Sequence, residues 1–331
     1  MDDLNAMDAM RPVVLCVDGN SLAHRAFHAS NPADRDGAWM CDMVVRMISS
    51  VWWAGPFDAV IIGFDHDVNV RKQADAGYKA GRAEKDPELE AALAILPDQI
   101  RQVGFTVVCE EGMEADDVLA SVVTRAEPLQ VDVVLLSSDR DLTAQVSESC
   151  TLLRPRSTMS DLIVTDPARV RADYGIEPSQ YVDFAAMRGD ASDGLRGVHG
   201  IGPKIAARLL RDHGTIEELY ANLHHLLPVH EAKLRAGQAE VDRNLALMTP
   251  ITSVEVDVMA SIAVGLDPGT LDANLVGLGL NRAAGQLRRA MSERQLPPMP
   301  PMPQEAPQDI VALPAARTFA LVDASEQDAL F

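Results

Sequence analysis

Acidic residues follow each apolar run in the first half of this sequence. The runs span residues 13–17, 59–63, 105–109 and 131–136. The acids behind them are, in chain order, Asp18, Asp65, Glu114, Asp116, Asp117, Asp139 and Asp141. Each one alone could simply cap a turn or a helix. Together they form an all-oxygen ligand set, which suits Mg²⁺ or Mn²⁺ better than zinc. Two such ions about 4 Å apart can promote phosphodiester hydrolysis.

The apolar runs have the composition of strands that are buried on both faces. They alternate with helical patterns near 39–53, 88–103 and 114–126. This alternation predicts an α/β fold with a mostly parallel central sheet flanked by helices. Because neighbouring strands lie about 4.8 Å apart, acids behind four strands converge on one edge of the sheet. Carboxylates that close raise one another's pKa unless cations neutralise them, which favours a metal site over isolated capping residues.

A further acidic pair and a glycine-rich turn follow in the second half. Asp190 and Asp193 have i, i+3 spacing, which places both carboxylates on one side if the segment is helical. Glycines in the next turns let backbone amides approach an anion, and a basic stripe follows on one helix face. These residues are Gly197, Gly200, Gly202, Lys204, Arg208 and Arg211. The segment predicts a hairpin that binds duplex nucleic acid, although a plain helical hairpin with a solvated basic face remains open.

A basic segment between Asp65 and Glu88 forms a second candidate surface. Its bases, with one aromatic residue among them, are Arg71, Lys72, Tyr78, Lys79, Arg82 and Lys85. Such an insert could stack on a single strand and guide it, whereas an exposed loop of solvated lysines is the simpler alternative.

The chain as a whole is nevertheless acidic. Its 331 residues include 49 acids and 29 bases, for a net charge of −20, which excludes a strongly basic nucleic-acid coat protein. Its hydrophobic fraction of 47% indicates a globular protein. The four cysteines form no Cys-x-x-Cys pair, and Cys16 and Cys109 are expected to be buried thiols. Without a secretory signal or an apolar run of ~20 residues, we expect a cytoplasmic protein with no membrane partner.

The motifs together resemble the 5′-nuclease superfamily, which comprises flap endonucleases and the 5′→3′ exonuclease domain of bacterial DNA polymerase I. The matching segments, in the order typical of the superfamily, are 17–23, 77–82, 114–120, 138–142, 189–193 and 197–202. The resemblance implies a PIN-like α/β catalytic domain over 11–185, with a helical arch at about 66–90. It also implies a helix-three-turn-helix DNA-binding subdomain over 186–290. Residues 291–331 would then be a Pro-rich linker and tail.

The resemblance also implies a role for each matching residue. The first of two divalent ions would be held by Asp18, Asp65, Glu114 and Asp116, and the second by Asp139, Asp141, Asp190 and Asp193. The catalytic residues would be Lys79, Arg82 and Asp117, the first two stabilising the scissile phosphate. The DNA-binding residues would be Arg71 and Tyr78 of the arch and Gly197, Gly200, Gly202, Lys204, Arg208 and Arg211 of the hairpin, which would lie beside a bound K⁺.

The function that follows is structure-specific hydrolysis of DNA in replication and repair. The substrate would be branched or nicked DNA with a 5′ single strand, cut by a monomer that uses Mg²⁺ or Mn²⁺. Two alternatives stay open: a scaffold that binds branched DNA without cutting it, and a nuclease directed at RNA. The chain ends Gln327-Asp328-Ala329-Leu330-Phe331. Its Gln327, followed by the pair Leu330 and Phe331, resembles the short peptide that binds bacterial sliding clamps. A terminus that merely ends in two apolar residues would look the same.

Overall fold

A computed structural model describes residues 11–294 of the chain. The predicted linker and the tail residues Gln327, Leu330 and Phe331 lie outside the described residues.

A six-stranded sheet forms the centre of the first half, in the order β3-β2-β1-β4-β5-β6. Its strands are β1 (Val13–Asp18), β2 (Ala59–Gly63), β3 (Thr106–Val108), β4 (Asp132–Leu136), β5 (Cys150–Pro155) and β6 (Leu162–Thr165). The first five run parallel, and β6 pairs antiparallel with β5. The four predicted strands and their parallel arrangement are confirmed, whereas β5 and β6 were not predicted.

Helices cover both faces of this sheet and form most of the second half of the chain. In the first half they are α1 (Gly19–Ala29), α2 (Trp39–Ala54), α3 (Val70–Ala74), α4 (Pro87–Val103), α5 (Ala115–Ala126) and α6 (Pro167–Tyr174). In the second they are α7 (Tyr181–Arg188), α8 (Pro203–His213), α9 (Ile216–Ala221), α10 (Pro228–Ala236), α11 (Gln238–Met248), α12 (Val258–Val264), α13 (Pro268–Gly277) and α14 (Asn281–Arg294). A two-stranded hairpin, β7 (Gly189–Asp190) and β8 (Leu195–Arg196), lies between α7 and α8.

Alternate residues of each central strand enter different hydrophobic cores. In β1, Val14 and Cys16 face a core that includes α5, α7 and α8. Leu15 and Val17 face the opposite core, which includes α1, α2 and α4. Cys16 is buried as predicted, whereas Cys109 is only partly buried. A strand with both faces covered in this way is uniformly apolar, which is why its only acids stand at its end.

The last two described helices return to the first half of the chain. The Nδ2 of Asn274 in α13 donates to the carbonyl of Val103 at 3.0 Å, and the amide of Ala283 in α14 donates to Asp42 at 3.0 Å. The sequence had assigned this stretch to the DNA-binding subdomain over 186–290, but α13 and α14 pack on α4 and α2. Within 11–294, no helix is both long enough and apolar enough to cross a bilayer.

Candidate active site

The carboxyl ends of β1, β2 and β4 meet at one edge of the sheet, as the sequence predicts. Asp18 is paired in register with Gly63, and the preceding Val17 with Leu136. Asp18 is also the N-cap of α1, because its Oδ1 accepts a hydrogen bond from the amide of Ser21 at 2.8 Å. Its Oδ2 accepts from the hydroxyl of Ser137 at 2.6 Å. Ser137 was not singled out from the sequence, since a serine behind a strand is a weak signal.

The start of α5 brings three more acids to this edge. Glu114 caps the helix, and its side chain and that of Asp117 bond reciprocally to each other's backbone amides. The amide of Ala115 donates to Oδ1 of Asp65 at 2.9 Å, so Asp65 lies against the positive end of α5. Asp116, in the first turn, projects into the same cleft as Asp139 and Asp141.

Asp190 and Asp193 reach the site from a hairpin rather than from a helix. Asp190 lies in β7 and Asp193 in the turn that follows, so the i, i+3 argument for a shared helix face does not apply. The hairpin is very tight, since a Cβ on Gly197 would lie 2.1 Å from the carbonyl oxygen of Arg188. Gly197 is therefore required by packing within the protein, which differs from its predicted contact with a phosphate.

The acids share one electrostatic field. Burial, followed by the nearby charges of Asp65 and Asp139, raises the pKa of Asp18 to about 7, even though hydrogen bonds from Ser137 and Ser21 oppose the shift. Burial together with Asp139, Asp190 and Asp193 likewise raises the pKa of Asp141 to about 7. Burial and the charges of Asp139, Asp18 and Asp65 also raise the pKa of Asp116 well above its ordinary value. Ionised acids in this cleft thus destabilise one another.

Three basic side chains already compensate part of this charge. Lys79 is ion-paired with Glu114, and Arg82 with Asp193. Burial raises the pKa of Glu114, but the ion pairs with Lys79 and Arg71 outweigh burial and hold this pKa below its ordinary value. Lys79 adopts a left-handed backbone, with φ of 56°, and donates its amide to the carbonyl of Asp193 at 2.9 Å. The two predicted phosphate-binding residues therefore reach the acid site.

The donor set fits hard divalent cations. All of its ligating atoms are oxygens, and the raised pKa values show carboxylates that lack a full complement of positive charge. In residues 11–294, no three His, Cys, Asp or Glu side chains are arranged ready to hold a metal ion. Since Glu114 and Asp193 are engaged by Lys79 and Arg82, ion binding requires these side chains to rearrange.

Arg71 and Tyr78 do not occupy a surface that could contact DNA. Arg71 is 7% exposed and forms two bonds with Asp117, at 2.6 and 2.7 Å. Tyr78 is 6% exposed, and its hydroxyl donates to Glu114 at 3.0 Å. Their predicted DNA contacts do not fit this arrangement, in which both side chains support the acid cluster from beneath. Segment 66–90 contains the short α3, a turn and the start of α4.

Asp117, like Arg71 and Tyr78, is buried and engaged by other groups of the protein. Its side chain is 0% exposed and accepts hydrogen bonds from Arg71, from the amide of Glu114 and from the amide of Ile251 at 2.8 Å. Both of its carboxylate oxygens are thus engaged within the protein, an arrangement that fits a support for Glu114 better than the predicted catalytic role.

The basic stripe of α8 is exposed along its whole length. Lys204, Arg208 and Arg211 are all solvent-accessible, whereas Ala206, Leu209 and Leu210 of the same helix enter the core. Gly202 is the N-cap of α8, and nothing lies near the position of its missing Cβ. Gly200 has a φ of 74° and lies against Lys233, which donates to its carbonyl at 3.0 Å.

A cluster of carboxylates at the edge of an α/β sheet, in a protein that also presents the exposed basic face of α8, is typical of metal-dependent α/β nucleases. Comparison with known proteins gives the family. Residues 13–175 match the 5′-3′ exonuclease N-terminal resolvase-like domain, and residues 176–265 match the 5′-3′ exonuclease C-terminal SAM fold. The chain belongs to the 5′-3′ exonuclease family.

Curated relatives of the chain are longer proteins. The chain is 34% identical over 277 residues to DNA polymerase I of Mycobacterium leprae (strain TN), a match that covers 80% of this chain and 30% of the relative. It is 35% identical over 248 residues to the thermostable DNA polymerase I of Thermus aquaticus, covering 74% of this chain and 29% of the relative. The match thus spans about a third of each relative.

Solved structures show the same fold at lower identity. The T5 D15 protein co-crystallised with metal ions has a TM-score of 0.59 and 19% identity, covering 85% of this chain and 98% of that one. Human GEN1 in complex with Holliday junction DNA has a TM-score of 0.58 and 13% identity, covering 85% of this chain and 72% of that one.

Metal-free protein is expected to become more thermally stable as pH falls from about 8 to about 5. The folded-state pKa values of Asp18 and Asp141, about 7, exceed the ordinary value of 3.8. Folding is therefore favoured by proton uptake, and this stabilisation is lost as pH rises through 7. Thermal melts in EDTA across this range test it, and saturating Mg²⁺ should flatten the trend. A melting temperature that rises steadily from pH 5 to pH 8 in EDTA would contradict it.

Proposed function

We propose that this chain is a divalent-metal-dependent 5′ nuclease that hydrolyses DNA phosphodiesters at branched or nicked sites carrying a 5′ single strand. The observation that carries the proposal is the mutual charge repulsion of buried carboxylates at one sheet edge, with Lys79 and Arg82 reaching into it. Because the family's curated relatives are about three times longer than the matched region, activity and substrate are inferred from the site itself.

Two groups of acids would hold the ions. The first group follows β1 and β2 or opens α5, and comprises Asp18, Asp65, Glu114 and Asp116. The second follows β4 or lies in the β7–β8 hairpin, and comprises Asp139, Asp141, Asp190 and Asp193. Bound Mg²⁺ or Mn²⁺ would activate water and neutralise the departing 3′ oxygen. Whether K⁺ binds beside the turns at Gly200 and Gly202 stays a prediction.

Cationic side chains would bind the duplex and stabilise the scissile phosphate. Lys204, Arg208 and Arg211 bind the phosphates of the duplex and set its direction on the protein. Lys79 and Arg82 exchange their carboxylate partners for the scissile phosphate and stabilise the charge that develops on it. The local basic surfaces explain how a protein with a net charge of −20 can bind DNA, since the substrate responds to the nearby field.

Cleavage of end-labelled 5′-flap, nicked and blunt duplexes, each with Mg²⁺, Mn²⁺ or EDTA, tests the proposal. We expect metal-dependent release of 5′-phosphorylated fragments from the branched and nicked substrates. Binding of the flap without cleavage in either metal would favour the scaffold alternative. A matched RNA flap that is cut in preference to the DNA flap would favour an RNA-directed nuclease.

The stripe on α8 gives a separate prediction about affinity. Replacing Lys204, Arg208 and Arg211 with alanine should weaken duplex binding about equally for all sequences. The slope of log affinity against log salt should become shallower by about one for each phosphate that the protein no longer neutralises. Arg282→Ala serves as the matched control, because this exposed base lies on α14, which packs on the opposite face of the sheet. Unchanged salt dependence in the triple variant would exclude the stripe as the duplex-binding surface.

A further inference from the structure

Asn244 is a buried amide that holds both ends of the acid-bearing hairpin. It lies in α11 with 0% exposure, and its Nδ2 donates to the carbonyls of Ala186 and Arg196, each at 2.8 Å. Ala186 lies in α7 just before the hairpin, and Arg196 is the last residue of β8. A single side chain therefore fixes where the segment carrying Asp190 and Asp193 begins and ends. Buried donors used in this way set the position of a backbone, since leaving the carbonyls unpaired is costly.

The preceding residue, Arg243, anchors the turn that delivers Lys79. Its guanidinium pairs with both oxygens of Asp75, one of them at 3.0 Å. Oδ1 of Asp75 also accepts the amide of Gly77 at 2.8 Å, and its carbonyl accepts the amide of Tyr78 at 3.1 Å. The ion pair thus fixes the residues immediately before Lys79.

The two anchored loops also touch each other. The amide of Lys79 donates to the carbonyl of Asp193 at 2.9 Å. Gly194 has a φ of 73°, and a Cβ there would lie 3.0 Å from the carbonyl oxygen of Gly77. A Cβ on Gly77 would in turn lie 3.1 Å from Nη2 of Arg243. A side chain at either glycine would lie in tight contact with the other loop or its anchor, so a shift in one loop is transmitted to the other.

We propose that Arg243 and Asn244 are positioning residues that hold the Lys79 turn and the Asp190–Asp193 hairpin in register at the acid site. This inference rests on the proposed function. Neither residue touches the acid cleft, and neither belongs to any of the motifs that the sequence pointed to. Asn244 sets the position of Asp190 and Asp193. Arg243 sets the position of Lys79, the cation proposed to face the phosphate.

Mn²⁺ titration followed by spectroscopy or calorimetry, combined with steady-state cleavage of a 5′-flap duplex, tests the proposal. Asn244→Ala should weaken one of the two Mn²⁺ sites by about tenfold or more, a typical effect of losing a group that orients metal ligands. Its kcat should fall while KM for DNA is unchanged, and excess Mn²⁺ should restore part of the rate. Val241→Ala is the matched control, because it removes buried bulk from the same helix at a side chain that can donate no hydrogen bond to either loop.

The outcomes separate the proposal from the function on which it rests. If the unaltered protein binds no divalent ion and cuts no DNA, the proposed function fails. If the unaltered protein does both, and folded Asn244→Ala binds two Mn²⁺ ions with unchanged affinity, the positioning role is overturned. If Asn244→Ala does not fold, Arg243→Ala decides, because its side chain is already 34% exposed. We expect kcat to fall about tenfold with Mn²⁺ binding and melting temperature unchanged, and an unchanged kcat would overturn the proposal.

Discussion

Asp116→Ala is expected to reduce cleavage of a 5′-flap duplex by about a thousandfold while leaving a folded protein that still binds the substrate. Asp116 belongs to the first proposed group of ligands and lies in the field of Asp18 and Asp65 and of Asp139 from the second group. Losing this proposed metal ligand would remove several kcal/mol of charge stabilisation, and each 1.36 kcal/mol is about tenfold in rate. Single-turnover cleavage and a gel-shift assay on the same preparation measure the two quantities.

A second substitution at Asp116 tests whether the acid cluster lowers the stability of the metal-free protein. Asp116→Asn removes a charge that burial and its acidic neighbours oppose, so in EDTA at pH 8 we expect a higher melting temperature than for the unaltered chain. Asp36→Asn, at an exposed position, should change neither melting temperature nor cleavage. A variant at Asp116 that still cuts flaps at the original rate would show that the cluster is not the active site.

Arg71→Ala is expected to destabilise the fold by about 3–5 kcal/mol, because it leaves the fully buried carboxylate of Asp117 without its counter-ion. Arg71 also donates to the carbonyls of Leu247 and Thr249, at 2.8 and 3.1 Å. It therefore joins α3, α5 and the end of α11 in one buried network. Urea unfolding of the variant measures the decrease in stability.

Lys72→Ala is the appropriate control for Arg71→Ala, since it removes an adjacent base that is exposed on the same short helix. It should alter stability by less than about 0.5 kcal/mol, as surface substitutions usually do. If Arg71→Ala instead kept full stability and reduced only the affinity for DNA, its side chain would act at the substrate, as the sequence suggested.

Much of the site could be predicted because strand burial and chain order determine it. A strand buried on both faces must be apolar throughout, so an acid such as Asp18 can stand only where the strand ends. Parallel strands then bring their ends to one edge whatever the intervening helices do. Helical periodicity likewise placed Lys204, Arg208 and Arg211 together on the exposed face of α8.

The bases between Asp65 and Glu88 could not be assigned in this way. Arg71 and Arg82 have the same charge and lie in the same segment, yet Arg71 is buried against Asp117 and the Arg82 side chain is half exposed. What separates them is the position of partners that are distant in the chain, and local composition does not contain that information. The helix suggested by the spacing of Asp190 and Asp193 is absent for a related reason. Gly189 and Gly197 lie in backbone contact, and this contact closes the segment into the β7–β8 hairpin.

The sequence by itself determined the parallel sheet, the acids at its carboxyl edge and the exposed basic face of α8, since each follows from a periodicity or from a residue's place at the end of a strand. Only the tertiary structure decided which bases neutralise the acids, which support them from within the core, and how α11 joins the two loops through Arg243 and Asn244. Those roles depend on contacts between residues 35 to 168 positions apart, where burial and distance set the free energy of each interaction.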